Sequence, residues 1–302
     1  MKLFTWALTD AIAAELITAM GAFKMVCFGG TPPAVGPAIS PSLADGYAQA
    51  FQTAMGGFHI HFFTGTQPVT STALAGDLTG YTRLITYKGL ASANLPINWA
   101  TQVAGSGQSS RDMTQSVNGV AANTGIATWG VITPAGDALT ASGTAKRFAF
   151  SVGTGADVAL TASSITAAST YTLSTSDYLY VTYGGTAALA GAFSGQLITY
   201  LDAGGSAGIS WDTEVAGAGE AKRLMSQAVS GTGAVAGSVT YALICPVADT
   251  FAASPTAVRA LFSVGTAGQG YNFSMDSTAV AVGLVYPFPV GVLMLPCSSV
   301  TA

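Results

Sequence analysis

Apolar and polar positions alternate with a period of two over much of this chain. Phe58, Ile60 and Phe62 are interleaved with His59 and His61, Phe148 and Phe150 with Ala149 and Ser151, and Tyr178, Tyr180 and Thr182 with Leu179 and Val181. Alternation of this kind places one set of side chains on each face of a strand. The residue types involved, aromatic and β-branched, suit a pleated, half-buried surface. Turn-forming clusters (GSG, NTG, PAGD, GTGAD, GGT) punctuate the pattern roughly every ten residues, the spacing of a β-sandwich or small barrel. A helical period is confined to the first 57 residues. Apolar faces there (Ala11, Ala14, Leu16 and Ile17; Ala48, Phe51 and Ala54) predict short helices over roughly Thr9–Met20 and Ser42–Met55, with one strand between them. Helices this short are marginal alone, so they are expected to pack on the β domains or a neighbour, as an arm that docks onto another subunit.

Two internal repeats organise the chain. Trp99–Thr154 aligns with Trp211–Thr266 at a constant offset of 112 without a gap, and about half of the positions are identical. Shared Ala and Gly carry little weight in this composition. Shared Trp99/Trp211, Arg111/Arg223, Met113/Met225, Gln115/Gln227, Pro134/Pro246, Asp137/Asp249 and Arg147/Arg259 mark a tandem duplication. Both copies end in FSVGT, and LITY recurs upstream at Leu84–Tyr87 and Leu197–Tyr200. A second duplication, at offset 35, relates Asp10–Pro33 to Asp45–Pro68. Each carries TAMG, then Phe, then a strand-like run ending in Gly-Thr-x-Pro. A weaker echo, YGGTAALAG, begins at Tyr183. The organisation read from these patterns is an N-terminal arm over 1–57 with two short helices and a strand, a β domain over 58–174 and a second over 175–302. The fold class is mainly β: two tandem β-sandwich or barrel-like domains preceded by a short helical N-terminal segment.

Composition narrows the function. Charged residues make up 8% of the 302 residues and hydrophobic residues 50%, against about 25% charged in typical soluble domains. A surface with so few charges is expected to be covered in part by a membrane or by other subunits. The net charge of −4 and the lack of any basic run argue against nucleic acid. The opening MKLFTWAL is interrupted by Asp10 and Glu15, unlike a signal peptide. The uncharged stretch Ala279–Leu295 contains Pro287 and Pro289 and is flanked by Gly283 and Gly291, unlike a spanning helix. In the repeat register its VLML (Val292–Leu295) falls beneath YLYV (Tyr178–Val181) and reads as a strand. No membrane partner is expected. Cys27, Cys245 and Cys297 are far apart, with no CxxC or Cys/His spacing, and read as buried free thiols; an intersubunit disulfide stays open.

The segments FFTGTQPVTSTALAG (Phe62–Gly76) and FSVGTGADVALTASSITAAS (Phe150–Ser169) resemble motifs of a group of small tailed-bacteriophage virion proteins. The shared features are a helix, a strand ending in an aromatic-x-Gly-Thr-x-Pro turn, an Ala/Gly-rich link with LAG, and a late SVGT-GAD stretch. The second copy keeps SVGT and loses GAD. The resemblance implies a structural role in a virion assembled in the host cytoplasm: a capsid decoration, cement, neck or tail protein, homo-oligomeric and bound to major capsid or tail proteins. It carries no catalytic residues and no cofactor.

Candidate chemistry is sparse, and no enzyme is expected. His59 and His61 share a strand face in an HxH spacing that can bind metal, or they form a polar face or a subunit contact. The repeated Arg111/Arg223, Arg147/Arg259 and Asp137/Asp249 could bind a sugar twice over, or form structural ion pairs. Trp99 and Trp211 could form a carbohydrate platform or pack in a core. GTGAD and GSGQSS lack the GK[ST] and following helix of a phosphate loop, and no Ser/His/Asp set or HExxH is present. The second reading is accordingly a glycan- or receptor-binding module of a phage fibre.

Overall fold

A computed structural model describes residues 2–34, 37–89, 94–154, 156–158, 163–173, 180–212, 220–266, 272–288 and 294–296. The N-terminal region forms β1 (Leu3–Phe4), α1 (Trp6–Met20), β2 (Phe23–Phe28), β3 (Ala38–Ile39), α2 (Pro41–Met55) and β4 (Phe58–Phe63). Each element of the first trio matches one of the second at the offset of 35 seen in the sequence. Both helices begin earlier than the apolar periodicity suggested. In α2 the Ser40 side chain accepts from the Leu43 N–H, and Pro41 occupies the first turn, where its missing N–H costs nothing. Gly21 and Gly56 terminate the helices at φ of 60° and 59°, a conformation side chains disfavour.

The rest is mainly β. The chain continues through α3 (Ser71–Ala75), β5 (Arg83–Tyr87), β6 (Gln108–Ser110), β7 (Asn118–Val120), β8 (Gly125–Ile126), β9 (Trp129–Pro134), β10 (Phe148–Ser151), β11 (Ser164–Ile165), β12 (Thr170–Thr172) and β13 (Tyr180–Thr182). After a 3₁₀ turn at Ala187–Ala190 come β14 (Gln196–Asp202), β15 (Glu220–Lys222), β16 (Val229–Gly233), β17 (Gly237–Ser238), β18 (Tyr241–Pro246), β19 (Ala260–Thr266), β20 (Phe273–Met275), β21 (Ala279–Val280), β22 (Val285–Pro287) and β23 (Met294–Pro296). In the first repeat the antiparallel pairs nest concentrically: β9 with β10 innermost, then β8 with β11, β7 with β12 and β6 with β13. The second repeat nests in the same way through β18/β19, β17/β21, β16/β22 and β15/β23. Each repeat is thus one long folded-over ribbon, which is why its matching residues keep a fixed offset. Tyr178, Leu179, residues 289–293, Cys297 and the expected boundary at 174/175 lie outside the described residues.

Two sheets dominate. The smaller runs β1-β10-β9-β4-β5 and the larger β20-β19-β18-β2-β14-β16-β22, with β3 also paired to β19. Their connectivity places the N-terminal strands. Strand β2 lies between β18 and β14, in the middle of the second repeat's sheet. Strand β4 lies between β9 and β5, in the middle of the first. The two edge strands go the other way: β1 pairs with β10 of the first repeat and β3 with β19 of the second. Within residues 1–57, β1 joins the first sheet and β2 and β3 join the second. The physical reason is burial: all six residues of β4 and five of the six in β2 are buried, which requires a paired neighbour on each edge and cover on each face.

Both helices pack on each other and on the inner faces of the sheets, forming one core with Leu8, Ile12, Leu16, Tyr47, Phe51, Ile60, Phe148, Ile198 and Tyr200. The outer faces carry two smaller, repeat-matched clusters. Phe63, Leu74, Trp129, Val131 and Leu139 form one, and Phe28, Leu189, Tyr241, Leu243 and Phe251 the other. Among the described residues no helix is long and apolar enough to cross a membrane. The described parts of Ala279–Leu295 that have regular structure are strands.

Candidate functional site

Arg147 and Arg259 are almost fully buried, and each is locked in the same cage. The Arg147 guanidinium donates from Nε and Nη2 to the two carboxylate oxygens of Asp137, at 2.7 and 2.9 Å. Its remaining N–H groups reach the carbonyls of Leu74, Gly76 and Thr140. Arg259 repeats this with Asp249 at 2.6 and 2.8 Å, and with the carbonyls of Leu189, Gly191 and Ala252. All five donors of each fork are used within the chain, so no donor remains for a sugar. The pair fastens the LAG turn and the turn after β9 or β18 to the end of the next strand. That turn holds Leu139 and Phe251 at φ of 64° and 62°, with their N–H groups on the carboxylates of Asp137 and Asp249. Burial works to raise the Asp249 carboxyl; the hydrogen bonds from Arg259 and the Phe251 N–H, with the charges of Arg259 and Lys24, outweigh it and hold the group below its ordinary value.

Trp99 and Trp211 serve the helices. Trp99 Nε1 donates to the Gly56 carbonyl and its ring lies 4.1 Å from that of Phe58. Trp211 Nε1 donates to the Gly21 carbonyl, with its ring 4.2 Å from Phe23. Each tryptophan thus closes the C-terminus of a helix and covers the first residue of the next strand. Arg111 and Arg223 are bridged across the backbone to Trp99 and Trp211. Arg111 is buried, and Arg223 lies 4.7 Å over the Phe288 ring.

His59 and His61 are both buried on the outer face of β4, with ring centroids 6.2 Å apart. His61 Nδ1 meets the Thr86 hydroxyl at 2.9 Å and Nε2 the Thr133 hydroxyl at 3.2 Å, so both of its ring nitrogens are engaged, while the buried His59 Nε2 has no hydrogen-bond partner. Burial, then the positive charges of Arg83, His59, Lys88 and Arg147, push the His61 imidazole down to about 3. Among the described residues no three His, Cys, Asp or Glu side chains gather as a metal-binding group. Cys27 and Cys245 are buried free thiols, pushed up to about 12 by burial.

The concave site that sequence reasoning missed lies next to His61. A cavity of about 470 Å³ is lined by Arg83, Thr86, Lys88, Asn118, Val120, Ala122 and Thr170. Strand β5 forms its floor. Thr86 pairs with His61 and Arg83 with Phe63, with a bulge between Phe62 and Phe63's partners. The extra residue turns Arg83 onto the face that Thr86 and Lys88 share. Strands β7 and β12 form the wall. Gly119 permits their approach, since a Cβ there would collide with the Thr86 carbonyl. The signal was present in the repeat: the first copy reads RLITYK over Arg83–Lys88 and the second QLITYL over Gln196–Leu201. The strand is shared and the two flanking cations are not.

No protein-family model, curated protein or solved structure matches the chain.

Proposed function

We propose that this chain is a structural component of a bacteriophage virion, a capsid decoration or cement protein or a neck- or tail-associated one, that assembles with other virion proteins through weakly charged surfaces. In this reading the two repeats are sandwich-like units interlocked through their N-terminal strands, so that one chain presents two like bodies to a lattice. The observation that carries it is an apolar group left in solvent at the rim of the second repeat. Val282, Leu284 and Val285 are 65%, 57% and 68% exposed. Val235, itself exposed, stands beside them, because Gly233 and the 283–284 turn exchange backbone hydrogen bonds. A chain with 8% charged residues that leaves such a group uncovered is suited to a partner surface.

Mass spectrometry of purified particles tests the reading. A fixed copy number per particle is expected, and a Leu284→Asp/Val285→Asp variant, folded as judged by circular dichroism, should be lost from the particle. Absence of the wild-type chain from any particle would overturn it. A second reading, a glycan-binding module, is favoured by one observation: the cationic cavity at Arg83 and Lys88.

A further inference from the structure

The Arg83/Lys88 cavity has the character of a site for an anion rather than of a gap between strands. Only ten Lys and Arg occur in a chain of net charge −4, and two of them line this one cavity, which has no acidic lining residue. Neither makes an ion pair with a carboxylate among the described residues; Lys88 Nζ is held by the Asn94 side-chain oxygen and Arg83 is exposed. Elsewhere the chain spends its cations differently: Arg147 and Arg259 are neutralised by aspartates, and Lys24 and Arg223 lie on rings. The His61 imidazole behind Thr86 reports the same field, since every charged neighbour acting on it is positive.

Between the two cations the lining is polar but uncharged: the Thr86, Asn118 and Thr170 side chains, with Val120 and Ala122 as an apolar strip. The second repeat has the same bulge and strand pairing, yet carries Gln196, Thr199 and Leu201 where the first has Arg83, Thr86 and Lys88. The architecture therefore does not require the cations. A fork-shaped guanidinium suits a carboxylate, hydroxyl and amide groups suit sugar hydroxyls, and an apolar strip suits the C–H face of a ring. A volume of about 470 Å³ falls in the range of small-molecule sites.

We propose that this cavity binds an acidic sugar of the uronate or sialate kind, its carboxylate held by Arg83 and Lys88 and its hydroxyls by Thr86, Asn118 and Thr170. The site belongs to the first repeat alone, and it does not depend on where the protein resides, because binding is read on the purified full-length chain. Calorimetric titration and NMR shift mapping with D-glucuronate should give saturable binding that weakens as salt rises. D-glucose, which lacks the charge, and glutarate, which lacks the ring, should each bind about tenfold more weakly or less. Arg83→Gln/Lys88→Gln should weaken glucuronate about tenfold or more, as expected for lost charge-assisted hydrogen bonds. Lys146→Gln, a cation outside the cavity, should change nothing. Val120→Glu, at a position 57% exposed, should abolish binding by placing a carboxylate in the site without disturbing the core. Absence of saturable glucuronate binding, binding unchanged in Arg83→Gln/Lys88→Gln or in Val120→Glu, or glutarate binding as tightly as glucuronate would each overturn the proposal.

Discussion

The Ser40 hydroxyl accepts the backbone N–H of Arg259 at 3.0 Å, across 219 positions of sequence. Its repeat partner Thr5 does the same for Arg147 at 2.9 Å. In both places the residue preceding a helix fixes the strand that carries a buried arginine, and it does so in the repeat to which the helix does not lead. Thr5 leads through α1 into the second repeat's sheet but is bonded to the first; Ser40 leads through α2 into the first but is bonded to the second.

These two ties differ in strength. Ser40 also accepts from Leu43 N–H, whereas the Thr5 side chain caps no amide of α1. Ser40→Ala is expected to cost about 1–2 kcal/mol and Thr5→Ala about 1 kcal/mol. Denaturant midpoints of the two variants check the order, and a larger loss for Thr5→Ala would contradict it.

Breaking one arginine cage is expected to be worse. Arg259→Met strips the Asp249 carboxylate of its guanidinium donors, leaving it the Phe251 N–H, and removes the same donors from three carbonyls in a buried site, at a cost of about 3–5 kcal/mol. The same cage gives an acid limb. Because the folded Asp249 carboxyl is held below its ordinary 3.8, its contribution is present above that value and is lost as pH falls through the lower folded one. Thermal unfolding of Asp249→Asn should begin from a lower midpoint and fall less between pH 4 and pH 2, an interval set by about the free carboxyl range.

Much of this was legible in the sequence, and the reason for the rest is specific. The offsets of 112 and 35 survive because Trp99/Trp211 and Phe58/Phe23 must match each other in contact. Both helices and β2 follow from periodicity; the two-residue β3, the second strand between the helices, does not. What the pattern could not say was which N-terminal unit joins which repeat, since both units present the same strand to the same kind of sheet. One clue existed. In the first copy the segment ending in LAG follows directly on β4, whereas the echo at Tyr183 follows β13, which closes the first ribbon on β6; the strand that fills the place of β4 in the second sheet is β2, far upstream. The Arg83/Lys88 cavity was hidden for another reason: it is a departure from the repeat, and comparison of the copies rewards only what they share.

The crossing strands also predict how a single repeat behaves. Residues 37–182 contain β3, α2, β4 and the whole first ribbon, but lack β1, which pairs with β10. In that fragment β3 has no β19 to join and β10 has an open edge, so two copies can satisfy each other, β3 of one on β10 of the other. A strand-exchanged dimer is expected by light scattering, with Ser40→Ala weakening it because Ser40 would take the place of Thr5 on the Arg147 amide. A stable monomer would mean that the edge pairing is dispensable.

His61 predicts a second pH effect, at milder acidity. Its folded value of about 3 lies below the ordinary 6.5 because burial and the surrounding Arg83, His59, Lys88 and Arg147 disfavour the imidazolium. The unfolded chain therefore binds the proton more readily between these values, and stability falls as pH drops from 6.5 toward 3. Full uptake of one proton corresponds to a slope of about 1.4 kcal/mol per pH unit. The matching position of the second repeat, on β2, is Val26, buried in the same kind of strand, so His61→Val is a substitution this fold already accommodates. The variant should lose little at pH 7, where Thr133 retains its bond to the Pro134 carbonyl, and should show a shallower decline of unfolding free energy between pH 6 and pH 4, a window taken from the order of these two values. Both proteins keep Asp249, so its acid limb cancels in the difference. Parallel curves for wild type and variant would mean that His61 takes up its proton inside the folded sheet, and that the Thr86 and Thr133 hydroxyls can reorganise around an imidazolium.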